Sequence, residues 1–428
     1  MREAKLALRG GKPIRSRRLP FEFPGANFYG REEEEAVLRV LRARSPFRYY
    51  GPGLRREVER FETEFARAMR AKFALGVNSG TQALIVAMAA LGVGPGTEVI
   101  VPAYMWVSIV AGIVRLGGIP VLSEIDDSFT LDPEDLEKHI TPRTGLIVAV
   151  HMSGAPADMA PILAIAHRHK LPVLEDCAQA VGACLDGRPV GGIGTMGVFS
   201  LQLNKNMTTG EGGMITTNSS RLIERAIALH DLGYPRVKGR LVAKDLKKSF
   251  WGFGGRMSEL AGAIGRVQLR KLPRIVRSMR SAKARIKMGI ENIPGLIFRR
   301  VVDEKGDTGS FLIVTLPTAK QAADFSNMLN AENISVGLSP TRRVTDFGMH
   351  IYYNIPSLTE KRSNSPDGFP WSLDVNRSSI YDYHKGAMPL SDDLFARSIV
   401  MPIPSVMTAH DIADTIEGFK RVARVVMA

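Results

Sequence analysis

The chain has 428 residues, 45% of them hydrophobic and 23% charged, with a formal net charge of +14. That length leaves room for a large core and two domains, and the composition excludes a disordered or fibrous protein. No apolar run is long enough to span a bilayer, so no membrane partner is expected.

Two cysteines, Cys177 and Cys184, lie seven residues apart. One such pair in a long chain predicts reduced thiols and a cytoplasmic setting. Without a histidine pair nearby it is a poor metal site, and no metal is expected. The N-terminus, MREAKLALRGGKPIRSRR, is basic without an apolar core, unlike a secretory signal. The positive charge fits three readings: nucleic-acid binding, a merely solvated surface, or steering of anionic small molecules. The basic residues are scattered, with short clusters at 15–18 and 274–285 and no aromatic-interleaved stripe, so no nucleic acid is expected.

Residues 1–30 read as an extended lead-in. Residues 32–44 have helical spacing, with Ala36, Val37, Val40 and Leu41 on one face. A turn at Gly51-Pro52-Gly53 leads into an amphipathic helix with Phe61, Phe65 and Met69 on its core stripe. FALGVNSG predicts a strand broken at Asn78-Ser79-Gly80, and TQALIVAMAALG a helix ending at Gly92. A glycine turn into a helix leaves free amides and a positive dipole end, ready for a phosphate. Ser79 serves equally as a plain helix cap. Strand, helix and strand recur through EVIVPAYMWVSIVAGIVRLGGIPVLSEID, and again from GLIVAVHMSG to PVLEDCAQA. This alternation predicts an α/β fold with a mainly parallel central sheet flanked by helices. Sites on such sheets lie at the carboxyl ends of strands.

The stretch from Val173 to Met214 carries the chemistry. A buried run ends in Glu175 and Asp176, a glycine-rich loop crosses 187–197, and a second run from Val198 to Leu201 delivers Lys205 just before TTGEGG. A carboxylate can hold a heteroaromatic nitrogen protonated, and a lysine in a restricted pocket can lose its proton and attack an aldehyde. These are the two protein groups that pyridoxal 5'-phosphate (PLP) requires. The alternatives are a helix-capping acid and a surface lysine. Beyond Ser258 a long helical pattern leads to a smaller α+β region: GSFLIVTLP a strand, AKQAADFSNMLNAEN a helix, ISVGLS a strand. FARSIVMPIP and TAHDIADTIEGFKRVARVV close the chain as strand and helix. Residues 340–390 are irregular and aromatic, which marks them for substrate selection.

EDCAQA, FS, Lys205 and TTGEGG resemble the DegT/StrS-type sugar aminotransferases. NSGTQAL, VIVPAYMWVS, VAVHMSG and RMSELAGAIGRVQLRKL follow in that family's order across most of residues 10–275. The resemblance implies PLP fold-type I, a large PLP-binding domain over 1–275 and a small domain over 276–428. Activity is then transfer of an amino group from glutamate or glutamine to a keto or aldehyde sugar, nucleotide-sugar or cyclitol, in a homodimer with shared active sites. Lys205 would hold the cofactor, and Asp176 would pair with its ring nitrogen. Trp106 would stack on the ring, and Gln179 would reach its phenolic oxygen. Gly80, Thr81, Gln82 and Ser200 would hold its phosphate. The turn beside Tyr49 and Tyr50 lies near that family's active site, which makes both further candidates, and His151 is at a family position but serves equally as a satisfied supporting histidine. The GDTGSFLIVTLPT, YHKG and SIVMPI patterns look closest to relatives that aminate keto-octulosonate-type sugars.

Departures from the pattern are informative. Met105 stands where threonine is usual, Leu232-Gly233 where histidine-glycine is frequent, and Gly254 where an asparagine reaches the other subunit's phosphate. One cross-subunit contact should therefore be missing or replaced. The family's dehydratases carry histidine at the Lys205 position, so lysine favours a transaminase. A PLP dehydratase or lyase, or a non-catalytic basic binding protein on the same fold, are the alternatives.

Overall fold

The computed structural model describes residues 5–234, 236–237, 239–242 and 249–428; the lead-in's first four residues lie outside the described residues. Seven strands form the central sheet: β1 (Phe73–Val77), β2 (Glu98–Pro102), β3 (Ile119–Ser123), β4 (Thr144–Val150), β5 (Val173–Asp176), β6 (Met196–Ser200) and β7 (Gly213–Thr217). Their order is β1-β7-β6-β5-β4-β2-β3, and only β7 runs antiparallel to its neighbours. β2, β3, β5 and β6 are buried at every position, as expected of strands covered on both faces.

Among the described residues, ten helices of eight or more residues accompany the sheets. They are α1 (Arg31–Arg42), α2 (Glu57–Ala68), α3 (Gly80–Leu91), α4 (Ser108–Arg115), α5 (Met159–Arg168), α6 (Ser220–His230), α7 (Glu259–Ile290), α8 (Ala319–Ala331), α9 (Pro389–Arg397) and α10 (Ala409–Val426). α3 buries all of Ala83 to Ala90, the pattern of a helix enclosed on every side. It stops at Gly92, whose φ of 96° suits a residue without a side chain. α7 has 32 residues, about 48 Å of helix. It packs against α1 and α2 at one end and α10 at the other, so the division expected after residue 275 falls inside it.

The C-terminal region holds an antiparallel sheet of β8 (Ile297–Phe298), β9 (Phe311–Thr315), β10 (Arg342–Arg343) and β11 (Ser398–Pro402), in the order β8-β9-β11-β10. Two expectations need correction. Leu41 is 52% exposed; α1 packs through Ala36 and Val40 against Ala263 and Val267 of α7. ISVGLS is not a strand. Its Val336 pairs with Leu19 of the lead-in, and Gly337 turns the chain away with φ +25°. The edge strand forms two residues after Pro340 instead.

The segment over 340–390 is folded down rather than loose. Ile351, Tyr352, Ile355, Leu358 and Tyr383 are buried. The amides of Met105 and Val107 donate to the carbonyls of His350 and Met349 at 2.9 and 3.1 Å, closing the segment over the loop after β2. No helix among the described residues is long and apolar enough to cross a membrane.

Candidate active site

A cavity of about 450 Å³ opens where the strand ends, the lysine loop and the C-terminal region meet. Asp176, the last residue of β5, and Lys205, in the loop from β6 to β7, both line it. Asp176 is 4% exposed, and its carboxylate accepts the Ala178 amide at 2.9 Å. Burial raises the Asp176 pKa against the pull of that amide, Lys205 and His151. Burial also lowers the Lys205 pKa, with the Asp176 charge opposing it. Among the described residues no ion pair joins the two and no side-chain partner binds the Lys205 amine, so acid and amine face an open space. The backbone of Lys205 is fixed instead: its amide donates to the Gln202 carbonyl at 3.0 Å, and its carbonyl accepts from Gly25 at 3.1 Å.

Glu175 does different work from its neighbour. Its oxygens accept the amides of Gly191 at 2.8 Å, Ile193 at 2.8 Å and Gly194 at 2.6 Å, and the His151 ring nitrogen at 3.0 Å. Burial alone would raise its pKa; His151 and the loop amides outweigh burial and hold it low. Glu175 thereby clamps the glycine-rich loop. His151 accepts the Ala157 amide on its other nitrogen at 2.9 Å, so its hydrogen-bonding capacity is filled.

At the start of α3, the Ser79 hydroxyl caps the helix by accepting the Gln82 amide at 3.1 Å. The amides of Gly80 and Thr81 find no acceptor among the described residues. A side chain at Gly80 would put its Cβ 2.7 Å from the Cβ of Ser200, so glycine alone keeps this cradle open. Gly80, Thr81 and Ser200 line the cavity together. Gln82 does not: its amide is spent on the cap, and its side chain lies against Gly255 with the terminal nitrogen unpartnered. Open amides at a helix start, a hydroxyl beside them, a buried acid and an unpartnered amine form the donor set that PLP needs, and the residues fit it.

Trp106 lines the cavity at 40% exposure, its ring 4.7 Å from that of His350. Gln179 sits in the turn after β5. Its oxygen accepts the Ser153 amide at 3.1 Å, and its nitrogen lies 2.9 Å from the His350 ring. Tyr49 and Tyr50 do not line the cavity; Tyr49 bonds His230 at 3.1 Å, and Tyr50 is 62% exposed. Sequence reasoning did not single out His350, Phe347 or Glu22, which also line the cavity. The only signal for the first two was the aromatic richness of 340–390; for Glu22 there was none.

A mostly parallel sheet with an acid at one strand end and a cradled lysine after the next defines a fold-type I PLP enzyme. Residues 30–342 match the DegT/DnrJ/EryC1/StrS aminotransferase family. The chain is 30% identical to the spore coat polysaccharide biosynthesis protein SpsC of Bacillus subtilis, covering 95% of this chain and 97% of that one. It is also 30% identical to dTDP-3-amino-3,6-dideoxy-alpha-D-galactopyranose transaminase of Aneurinibacillus thermoaerophilus, over 92% of this chain and 96% of that one. Among solved structures, 3-amino-5-hydroxybenzoic acid synthase superposes with a TM-score of 0.76 at 26% identity, covering 93% of this chain and 97% of the other. The chain belongs to the DegT/DnrJ/EryC1/StrS family and is a PLP-dependent aminotransferase.

Proposed function

We propose that this enzyme moves an amino group from glutamate or glutamine to the carbonyl of a keto or aldehyde sugar, nucleotide-sugar or cyclitol. The observation that carries the reading is that Asp176 and Lys205, whose amine has no side-chain partner among the described residues, line one cavity. The relatives that make aminosugars support the substrate class. When bound, PLP supplies an electron sink for charge developing on the amino donor's α-carbon. Burial lowers the Lys205 pKa, which favours the amine as a base, and that amine takes the proton from the α-carbon. In the reverse direction it returns a proton to the carbon that receives nitrogen. Asp176 holds a proton on the ring nitrogen. The amides of Gly80 and Thr81, with the Ser200 hydroxyl, would hold its phosphate. Trp106 and Gln179, which line the cavity, would border the ring, and Trp106 would shield it from water.

The division into a PLP-binding domain over 1–275 and a small domain over 276–428 belongs to the same proposal. So does a homodimer with shared sites, supported by Trp251 at 90% exposure and Phe253 at 38% beside Gly254. Two free cysteines support a cytoplasmic setting. Replacing Lys205 with alanine should abolish amine transfer to any ketosugar; full activity in that variant would contradict the reading.

A further inference from the structure

The lead-in contributes a wall of the cavity that the family resemblance did not anticipate. Leu19 docks on the C-terminal region, its amide donating to the Ser335 carbonyl at 2.9 Å and its carbonyl accepting from Gly337 at 3.4 Å. Six residues on, the Gly25 amide donates to the carbonyl of Lys205 at 3.1 Å. The lead-in is therefore strung between the small sheet and the catalytic loop. Glu22 lies on that string, three residues from Gly25, which places its backbone within about 10 Å of it.

One oxygen of the Glu22 carboxylate accepts the Ser339 hydroxyl at 2.5 Å. The other is buried and has no hydrogen-bond partner among the described residues. Glu22 and Ser339 both line the cavity. A Cβ at Gly337 would fall 2.8 Å from that free oxygen, so glycine there leaves the carboxylate its place. A buried carboxylate oxygen without a donor costs stability unless a ligand supplies one.

The rest of this chain's lining bears on the charge of that ligand. Glu22, Asp176 and Glu211 are its acids, and Lys205 is its only lysine or arginine among the described residues. His350 lines the cavity as a neutral ring. Once Lys205 and Asp176 are committed to the cofactor, no lysine or arginine is left among the described residues of this chain that line the cavity to hold a second phosphate. The polar groups left over, including Gln202, Asn204 and Ser310, suit hydroxyls.

We propose that Glu22 is a specificity-determining residue. Its free oxygen accepts a hydrogen bond from a hydroxyl of the amino acceptor, which is an uncharged polyhydroxy ketone rather than a phosphorylated sugar. This rests on the aminotransferase reading above and narrows its substrate class. The carboxylate acts twice: it rewards a hydroxyl and repels a phosphate in the same place.

The test uses the full-length, PLP-loaded enzyme, with scyllo-inosose and fructose as uncharged ketones and fructose 6-phosphate as the charged one. Conversion of the cofactor to its amine form by glutamate or glutamine is followed separately, and reports folding and loading in every variant. The wild type should aminate at least one uncharged ketone in preference to fructose 6-phosphate. Glu22→Ala should lower kcat/KM for that ketone by about thirtyfold or more, mostly through KM. Glu22→Gln keeps the shape and loses the charge, and should narrow the preference over fructose 6-phosphate by about tenfold. Preference for fructose 6-phosphate in the wild type would overturn the proposal, as would failure to aminate either uncharged ketone. So would an acceptor KM in both variants within about twofold of wild type. Failure of the donor half-reaction in the wild type would instead strike the aminotransferase reading, and the proposal with it.

Discussion

The side-chain amide of Gln179 donates a 2.9 Å hydrogen bond to the ring of His350, tying the turn after the acid-bearing strand to the segment that closes over the cavity. The Phe347 carbonyl, 2.9 Å from the other ring nitrogen, can only accept, so that nitrogen carries the proton. Both nitrogens are thus satisfied in the neutral ring, which stacks on Phe347 at 4.2 Å. Burial drives the His350 pKa down to about 4, with Lys205 adding to it and the Phe347 carbonyl opposing. An unfolded histidine takes a proton near pH 6.5, whereas this folded one resists until about 4. The unfolded state therefore binds more protons in that window, and folding stability falls as pH drops through it. The cost between pH 7 and 4 is on the order of 3 kcal/mol from this residue. Urea unfolding of the apoprotein across that range should show a shallower pH slope in His350→Gln than in wild type; equal slopes would contradict the assignment.

Asp176 and Lys205 pull on each other in opposite senses. The Asp176 charge raises the amine's pKa against the lowering effect of burial. Asp176→Asn should therefore lower the Lys205 pKa further and move the midpoint for acylation of this lysine in the apoprotein to lower pH. Peptide mass spectrometry after timed acylation reads that midpoint. The same variant should lose about 100-fold or more in kcat, as the ring nitrogen loses its partner. An unmoved or raised midpoint would mean that the two groups do not sense each other.

The phosphate cradle depends on a missing side chain. Gly80→Ala places a Cβ 2.7 Å from Ser200 Cβ and 3.0 Å from its hydroxyl oxygen, so one of them must shift. The PLP dissociation constant, measured by equilibrium dialysis, should rise by about tenfold or more, while the Ser79 cap and the helix remain. Unchanged affinity would place the phosphate elsewhere.

Gly254 tests the departure from the family pattern. Its φ is +68°, and a Cβ there would meet nothing within 4 Å. Asparagine tolerates that backbone region better than other side chains. If the proposed homodimer shares its sites, Gly254→Asn should add a contact to the phosphate bound in the other subunit and tighten PLP binding by about tenfold or more, the worth of one hydrogen bond to a charged group. An unchanged dissociation constant would mean that the missing asparagine is already replaced.

Much of this site can be read from the chain because its chemistry is local. Asp176 closes an apolar run, Ser200 closes another, Lys205 follows within one loop, and Gly80 marks a strand-to-helix turn. Spacing along the sequence translates into position at strand ends. Glu22 and His350 are brought in by pairing across the fold, Leu19 with Val336 and Tyr104 with Ile351, and no periodicity announces such bridges. The same pairing explains ISVGLS: its alternation suits a strand, but Gly337 turns and the lead-in takes Val336. Gln82 shows the limit of motif reading. Its place beside Gly80 and Thr81 suggested a phosphate ligand, yet Ser79 already holds its amide.

The most direct test of the central claim is borohydride reduction of the PLP-loaded protein, followed by peptide mapping. The account predicts a single pyridoxyl adduct, carried by Lys205 and absent from Lys205→Ala. Adduct at another lysine, or none in a protein that still transfers amines, would contradict it.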